Sequence, residues 1–255
     1  MRVEFSVHST SVWFSVPPTP GRLNILCLPQ AGGDTSLYNR WQRLLPPTVA
    51  LIPVLLPGRG LRLADPPFRA MADLITALAD AITPYTALPY ALFGSSMGGW
   101  IAHALAQELL QRRLSAPVAL FACTSSTPFA KRRLPNVDTD DRETLIAEIL
   151  AFNPDFDRVL VYPELVDLLL PVIKADFTLC NGYRPQQAPR LTCPIIGFAG
   201  SRDQIIPLET MHGWAELTEG GFSLTELDGD HFLIETAPRP ILTALATCAE
   251  QVLTG

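Results

Sequence analysis

The sequence predicts a single α/β domain with a mostly parallel central sheet, helices on both faces and one helical insertion. Three observations carry this expectation. Short apolar strand-like runs alternate with helical ones from Leu23 onward, the rhythm of βαβ units. Residues 90–93 lead through Gly94-Ser95-Ser96-Met97-Gly98 into an alanine-rich helical stretch, a strand–turn–helix passage. The alternation stops after Cys123 and resumes only at Pro194, a gap far too long for an ordinary connection.

Taken in order, residues 23–28 read as the first strand and 37–45 as a helix. Residues 49–55 read as the second strand, although Pro53 removes a ladder donor and sits awkwardly there. A helix near 71–82 precedes the strand at 90–93, and the next helix shows Met97, Trp100, Ile101, Ala104 and Leu105 at helical spacing. Residues 117–123 form another strand-like run. Within the insertion, set at about residues 126–190, Asp140-Asp141-Arg142-Glu143 opens a helix with a capping pair, followed by Leu145, Ile146, Ile149, Leu150 and Phe152. A second helix starts at Pro163, carries Leu165, Leu168, Leu169, Val172, Ile173 and Phe177, is expected to kink at Pro171, and ends near Asn181-Gly182. The expectation is a helical hairpin forming a lid that excludes water and shapes an apolar acyl site; helices packed away from the site are the alternative. Residues 195–200 read as a buried strand ending in a turn at Asp203, and 222–227 as a strand before the terminal helix.

Function is read from the turn at Ser96. In G-x-S-x-G the glycines allow a sharp turn, so Ser96, centred between Gly94 and Gly98, protrudes at a strand end; neighbouring Ser95 is not so placed. A serine needs a base and an orienting carboxylate to become a nucleophile. Of four histidines, His231 lies in a loop between a strand and the last helical stretch and is the candidate base. His8 lies in strand-like sequence near the terminus, His103 reads as a packed or partly exposed helical residue, and His212 as a structural residue in mid-helix. Asp203 is the candidate carboxylate, because a parallel strand ending there places it at the same, carboxyl end of the sheet as Ser96. Asp228 and Asp230 are near His231 only in sequence, and neighbours on a tight turn seldom aim at the ring. The chain order Ser96, Asp203, His231 is that of the α/β-hydrolase triad.

Composition narrows the field. A chain of 255 residues with 48% hydrophobic content buries a large core without disulfides or metals. A net charge of -6 argues against general nucleic-acid binding. Cys27, Cys123, Cys180, Cys193 and Cys248 are odd in number and scattered, which reads as buried thiols in a reducing compartment and gives no zinc spacing. The start lacks a signal-peptide pattern and no run approaches the ~20 apolar residues of a membrane span, so a cytoplasmic, membrane-free monomer is expected.

Four segments carry a resemblance. Leu28-Pro29-Gln30-Ala31-Gly32-Gly33, Leu56-Pro57-Gly58-Arg59-Gly60-Leu61-Arg62 with Asp65-Pro66-Pro67, residues 93–99, and Gly229-Asp230-His231-Phe232 together resemble the type II thioesterases that accompany nonribosomal peptide and polyketide synthases. The resemblance spans nearly the whole chain. It implies hydrolytic removal of an acyl group held as a thioester on the phosphopantetheine arm of an acyl or peptidyl carrier protein, with no cofactor of the enzyme's own. The start at Met1 without an upstream linker favours a free protein over a domain cut from a synthase. Three positions depart from the family's usual pattern: Ser95 where histidine is common, Gly60 where an acid is, and Asp65 where glutamate is.

The mechanism expected is attack by Ser96 with His231 as base and Asp203 orienting the ring, giving an acyl-enzyme that water then cleaves. Oxyanion donors are the amide of Met97 and that of Gln30, with Ala31 as the alternative second donor. Lys131-Arg132-Arg133 is a candidate contact for an acidic carrier surface or the arm's phosphate, against the simpler reading of a solvated charge run, and Arg59 and Arg62 are candidates for positioning a loop. A general carboxylester or lipid hydrolase and a noncatalytic binding protein of the same fold are the competing functions.

Overall fold

The computed structural model of the chain describes residues 12–131 and 133–254; His8 and Arg132 lie outside them. The first apolar run forms β1 (Leu23–Leu28), buried at all six positions. Helix α1 (Ser36–Trp41) gives way to a 3-10 turn, and the chain returns as β2 (Val49–Pro53). Helix α2 (Met71–Ile82) leads to β3 (Tyr90–Ser95), and α3 (Met97–Gln111) to β4 (Leu120–Cys123). The chain then leaves the sheet for α4 (Arg142–Phe152), α5 (Asp157–Leu160) and α6 (Pro163–Gly182). It rejoins as β5 (Ile195–Gly200), passes through α7 (Leu208–Met211) to β6 (Phe222–Leu227), and closes with α8 (Leu233–Thr236) and α9 (Pro238–Thr254).

The strands lie in the order β2-β1-β3-β4-β5-β6, and every neighbouring pair is parallel. Pro53 proves harmless for a physical reason. It is the last residue of an edge strand, opposite Cys27, whose carbonyl takes its hydrogen bond from the N–H of Val54 at 3.0 Å instead. Alternate residues of each strand face opposite sides. Leu26, Leu28, Ile52, Leu92 and Leu120 pack with α2 and α3. Ile25, Cys27, Leu51, Phe93 and Phe121 pack with α1, α8 and α9. Both faces are therefore covered, and each large side chain so buried contributes roughly 1.5–3 kcal/mol.

The insertion has its own apolar centre, made by Leu145, Ile149, Phe156, Val166, Leu170, Ile173 and Phe177. Asp141 caps α4, its carboxylate accepting the N–H of Thr144 at 2.9 Å, which contributes about 1 kcal/mol. The expected hairpin is a three-helix arrangement, because Asn153-Pro154 ends α4 and the short α5 follows before Pro163 restarts the chain as α6. Pro171 lies inside α6 without ending it. His212 is exposed in a 3-10 turn after α7 and not in mid-helix.

Candidate active site

The direction of the crossovers reverses between β1 and β3, because β2 is added on one side of β1 and β3 on the other. In an open parallel sheet such a reversal opens a crevice at the carboxyl ends of the strands. Ser96 leaves β3 at this crevice, and Gln30 and Ala31 leave β1 beside it.

Ser96 is the single residue between β3 and α3 and holds φ 52° and ψ −116°, a conformation costing on the order of 1–3 kcal/mol for a residue with a side chain. Its surroundings impose it. The Ser96 N–H donates to the Cys123 carbonyl at 3.0 Å, and its own carbonyl accepts the Ser125 hydroxyl at 2.8 Å. The Trp100 and Trp214 indoles donate to the carbonyls of Ser126 and Ser125 at 2.8 and 2.7 Å, fixing the support behind the turn. The flanking glycines are required by space: a Cβ on Gly94 would meet the Gly98 carbonyl at 2.2 Å, and one on Gly98 would meet the Leu28 oxygen at 2.1 Å. Ser95 is buried at the end of β3, outside the lining of the cavity above Ser96.

His231 arrives from the loop after β6. A Cβ on Gly200 would stand 2.5 Å from the Asp230 carbonyl, so this glycine lets the loop lie directly on the end of β5. The imidazole then sits between hydroxyl and carboxylate, with Nε2 3.0 Å from Ser96 Oγ and Nδ1 2.9 Å from Asp203 Oδ2. The other oxygen of Asp203 accepts the N–H groups of Ile205 and Ile206 at 2.8 and 2.9 Å. This placement suits a neutral ring with its proton on Nδ1 toward the carboxylate, the tautomer that turns the Nε2 lone pair to the serine hydroxyl. The His231 and Asp203 side chains are 8% and 1% exposed, so their mutual bond is shielded from water while Ser96 and His231 Nε2 face the cavity. The rival acids are engaged elsewhere: Asp228 pairs with Arg202, and Asp230 accepts the N–H of Phe232 at 2.9 Å.

Met97, Gln30 and Ala31 border the same cavity as Ser96 and His231, a space of about 360 Å³. Ile149, Phe152 and Phe156 from α4 and the turn after it, and Ile173 and Phe177 from α6, form its apolar wall. The insertion thus faces the site and does not pack away from it. Lys131 and Arg133, both exposed, border the same space. A larger hollow of about 550 Å³ lies against His103 and Gln107, but Ser96, His231 and Asp203 do not line it. His103 is buried against the rings of Trp214 and Phe129, and burial lowers its pKa to about 4.

One partnership joins residues 117 positions apart in the chain. Arg59 is buried and paired with Asp176 of α6. Arg62 bonds Asp65 at 2.7 Å and lies over the Trp13 ring. None of the five cysteines is joined in a disulfide; Cys248 is half-buried and the other four are buried, and burial raises the pKa of Cys123 to about 12 and of Cys193 to about 11. Cys123 and Cys193 are therefore protonated, weakly nucleophilic thiols at neutral pH. Among the described residues no helix is long and apolar enough to cross a membrane, and no group of three or more His, Cys, Asp or Glu is placed to hold a metal ion.

Comparison with known proteins agrees with this geometry. The thioesterase-domain family model matches residues 24–247. The gramicidin S biosynthesis protein GrsT of Aneurinibacillus migulanus is 30% identical over 213 residues, covering 84% of this chain and 83% of its own. The RedJ thioesterase from the prodiginine pathway of Streptomyces coelicolor superposes with a TM-score of 0.81 at 33% identity, over 93% of this chain and 98% of its own. The type II thioesterase BorB from the borrelidin biosynthetic cluster gives 0.81 at 29% identity, over 94% and 97%. With the family model covering the sheet, the serine turn and the histidine loop alike, the chain belongs to the thioesterase family, as a serine-hydrolase-type thioester hydrolase of the α/β-hydrolase fold.

Proposed function

We propose that this chain hydrolyses acyl or aminoacyl thioesters from the phosphopantetheine arm of carrier proteins, clearing wrongly primed or stalled carriers in peptide or polyketide assembly. The observation that carries the reading is the continuous line from Ser96 Oγ through His231 to Asp203 at the floor of an apolar cavity. In this reading His231 takes the proton of Ser96 as the hydroxyl attacks the thioester carbonyl, and Asp203 stabilises the imidazolium that forms. The amide of Met97 and that of Gln30 or Ala31 receive the negative charge on the carbonyl oxygen. The leaving thiol has a free pKa of ~8.5, so it departs as a good leaving group and asks little of His231 as an acid. Water, deprotonated by His231, then releases the acyl group from Ser96.

The insertion acts as a lid whose aromatic wall receives the acyl chain. Lys131 and Arg133 border the cavity, where cationic side chains suit the arm's phosphate and an acidic carrier surface. The relatives' roles in gramicidin S and prodiginine biosynthesis support the same substrate class. The test compares hydrolysis of acyl-loaded carrier protein with hydrolysis of small chromogenic esters at matched concentration. Preference for the loaded carrier is expected. Far faster turnover of the small esters would instead assign the site to general carboxylester hydrolysis. A Ser96→Ala protein that stays folded and retains full turnover would remove the triad reading itself.

A further inference from the structure

We infer that the buried pair Arg59–Asp176 is a positioning device for the oxyanion site, holding the loop after β1 in the shape that presents its amide. The inference rests on the reading of Gln30 and Ala31 given above. Arg59 and Asp176 side chains are 7% and 4% exposed, and they meet through two parallel bonds of 2.7 and 2.9 Å. Each also grips the loop. Asp176 Oδ2 accepts the N–H of Gly32 at 2.8 Å, and Arg59 Nη1 donates to the carbonyl of Gly33 at 3.0 Å. The N–H of Gly33 donates to the Gln30 carbonyl at 2.9 Å, closing the turn from its other end. The three peptide units that follow Ala31 are therefore fixed, the first two at their N–H groups and the third at its carbonyl.

The pair also neighbours the second donor: Arg59, Asp176 and Met97 line one small cavity. Two charges taken out of water are a weak way to hold a fold together, since an apolar pair of similar volume is often as stable. A guanidinium and a carboxylate do what apolar groups cannot. They fix the direction of an N–H and a C=O, and displacement of reacting groups by about 1 Å costs on the order of 10²-fold in rate. Because Asp176 is on α6, three turns into the insertion's last helix, the loop is held by the same element that supplies Ile173 and Phe177 to the acyl wall.

The test uses Asp176→Ala, Arg59→Lys and the apolar double variant Arg59→Met/Asp176→Leu, with the full chain in each case. Three quantities are measured for each: kcat and KM on a small thioester, affinity for a trifluoromethyl ketone, and the melting transition. Ser96 adds to the ketone carbon, the carbonyl electron pair moves to oxygen, and the serine proton passes to His231, so affinity reads oxyanion stabilisation. The expected result is a fall in kcat of about 10²-fold with KM changed by less than about threefold, and ketone affinity falling in step with kcat/KM. The double variant, which leaves no buried unpaired charge, is expected to fold cooperatively and still show the loss. Parent-like kcat and ketone affinity in the folded double variant would overturn the inference, as would lost turnover with unchanged ketone affinity. Ser96→Ala run alongside separates the two levels: if it is inactive while the double variant is parent-like, only the positioning role falls.

Discussion

Gly98 faces the carbonyl oxygen of Leu28 across a gap with no room for a methyl group, since a Cβ there would stand 2.1 Å from that oxygen. This contact sets how deeply α3 sinks against the end of β1. It thereby sets the height of Ser96 over the sheet and its distance from the loop that begins at Pro29.

Gly98→Ala is expected to push α3 and β1 apart. The cost is about 1–3 kcal/mol in unfolding free energy, with an activity loss on the order of 10²-fold because the serine turn shifts. Denaturant titration and thioester hydrolysis on the same preparation check both parts. Retention of parent activity would mean that the turn does not depend on the close approach of α3 to β1.

His103 gives a pH dependence with a definite sign. Burial lowers its pKa from 6.5 to about 4, so the folded chain keeps it neutral where the unfolded chain protonates it. Between those two values the unfolded state binds more protons, and stability falls as pH falls from about 6.5 towards 4. Its share is up to about 3 kcal/mol. His103→Leu is expected to reduce the loss of unfolding free energy between pH 7 and pH 4 by that order, measured by denaturant midpoints at each pH. Parallel pH curves for parent and variant would show that the buried imidazole is not the titrating group.

Lys131 and Arg133, which border the cavity, test the carrier-recognition part of the proposal. Reversing both charges, Lys131→Glu with Arg133→Glu, is expected to lower the ratio of kcat/KM on acyl-loaded carrier to that on a small thioester by about tenfold. The effect is expected to shrink as salt rises, because exposed charges are screened within a Debye length of about 10 Å at 0.1 M. A ratio unchanged at low salt would return these residues to the role of a solvated charge run.

Much of this architecture is legible in the sequence because period and punctuation are local. The apolar runs at 23–28 and 195–200 read as strands since both of their faces are buried, and G-x-S-x-G reads as a turn because its glycines are needed where backbones touch. The meeting of Ser96, His231 and Asp203 is foreshadowed by strand ends: Asp203 follows β5 as Ser96 follows β3, and both strands run parallel with β4 between them. What local pattern cannot deliver is pairing across the chain. Arg59 and Asp176 are 117 residues apart and meet only when α6 folds over the loops. A trace of the pairing is present nevertheless, since Asp176 interrupts a buried stripe of Val172, Ile173, Phe177, Leu179 and Cys180, where a charge requires a partner. The hairpin expectation for the insertion missed α5 because four residues are too few to show a helical period. His103 was legible as helical, but its depth was not, because burial depends on Trp214 arriving from a distant turn.

The most direct measurement of the central claim is rapid-quench mass spectrometry of the enzyme mixed with acyl-loaded carrier protein, followed by peptide mapping. The account predicts a transient gain of one acyl group on the peptide carrying Ser95 and Ser96, assigned by fragmentation to Ser96 and absent from Ser96→Ala. An acyl group found on Ser95 or on any other residue, or full turnover by folded Ser96→Ala, would contradict it.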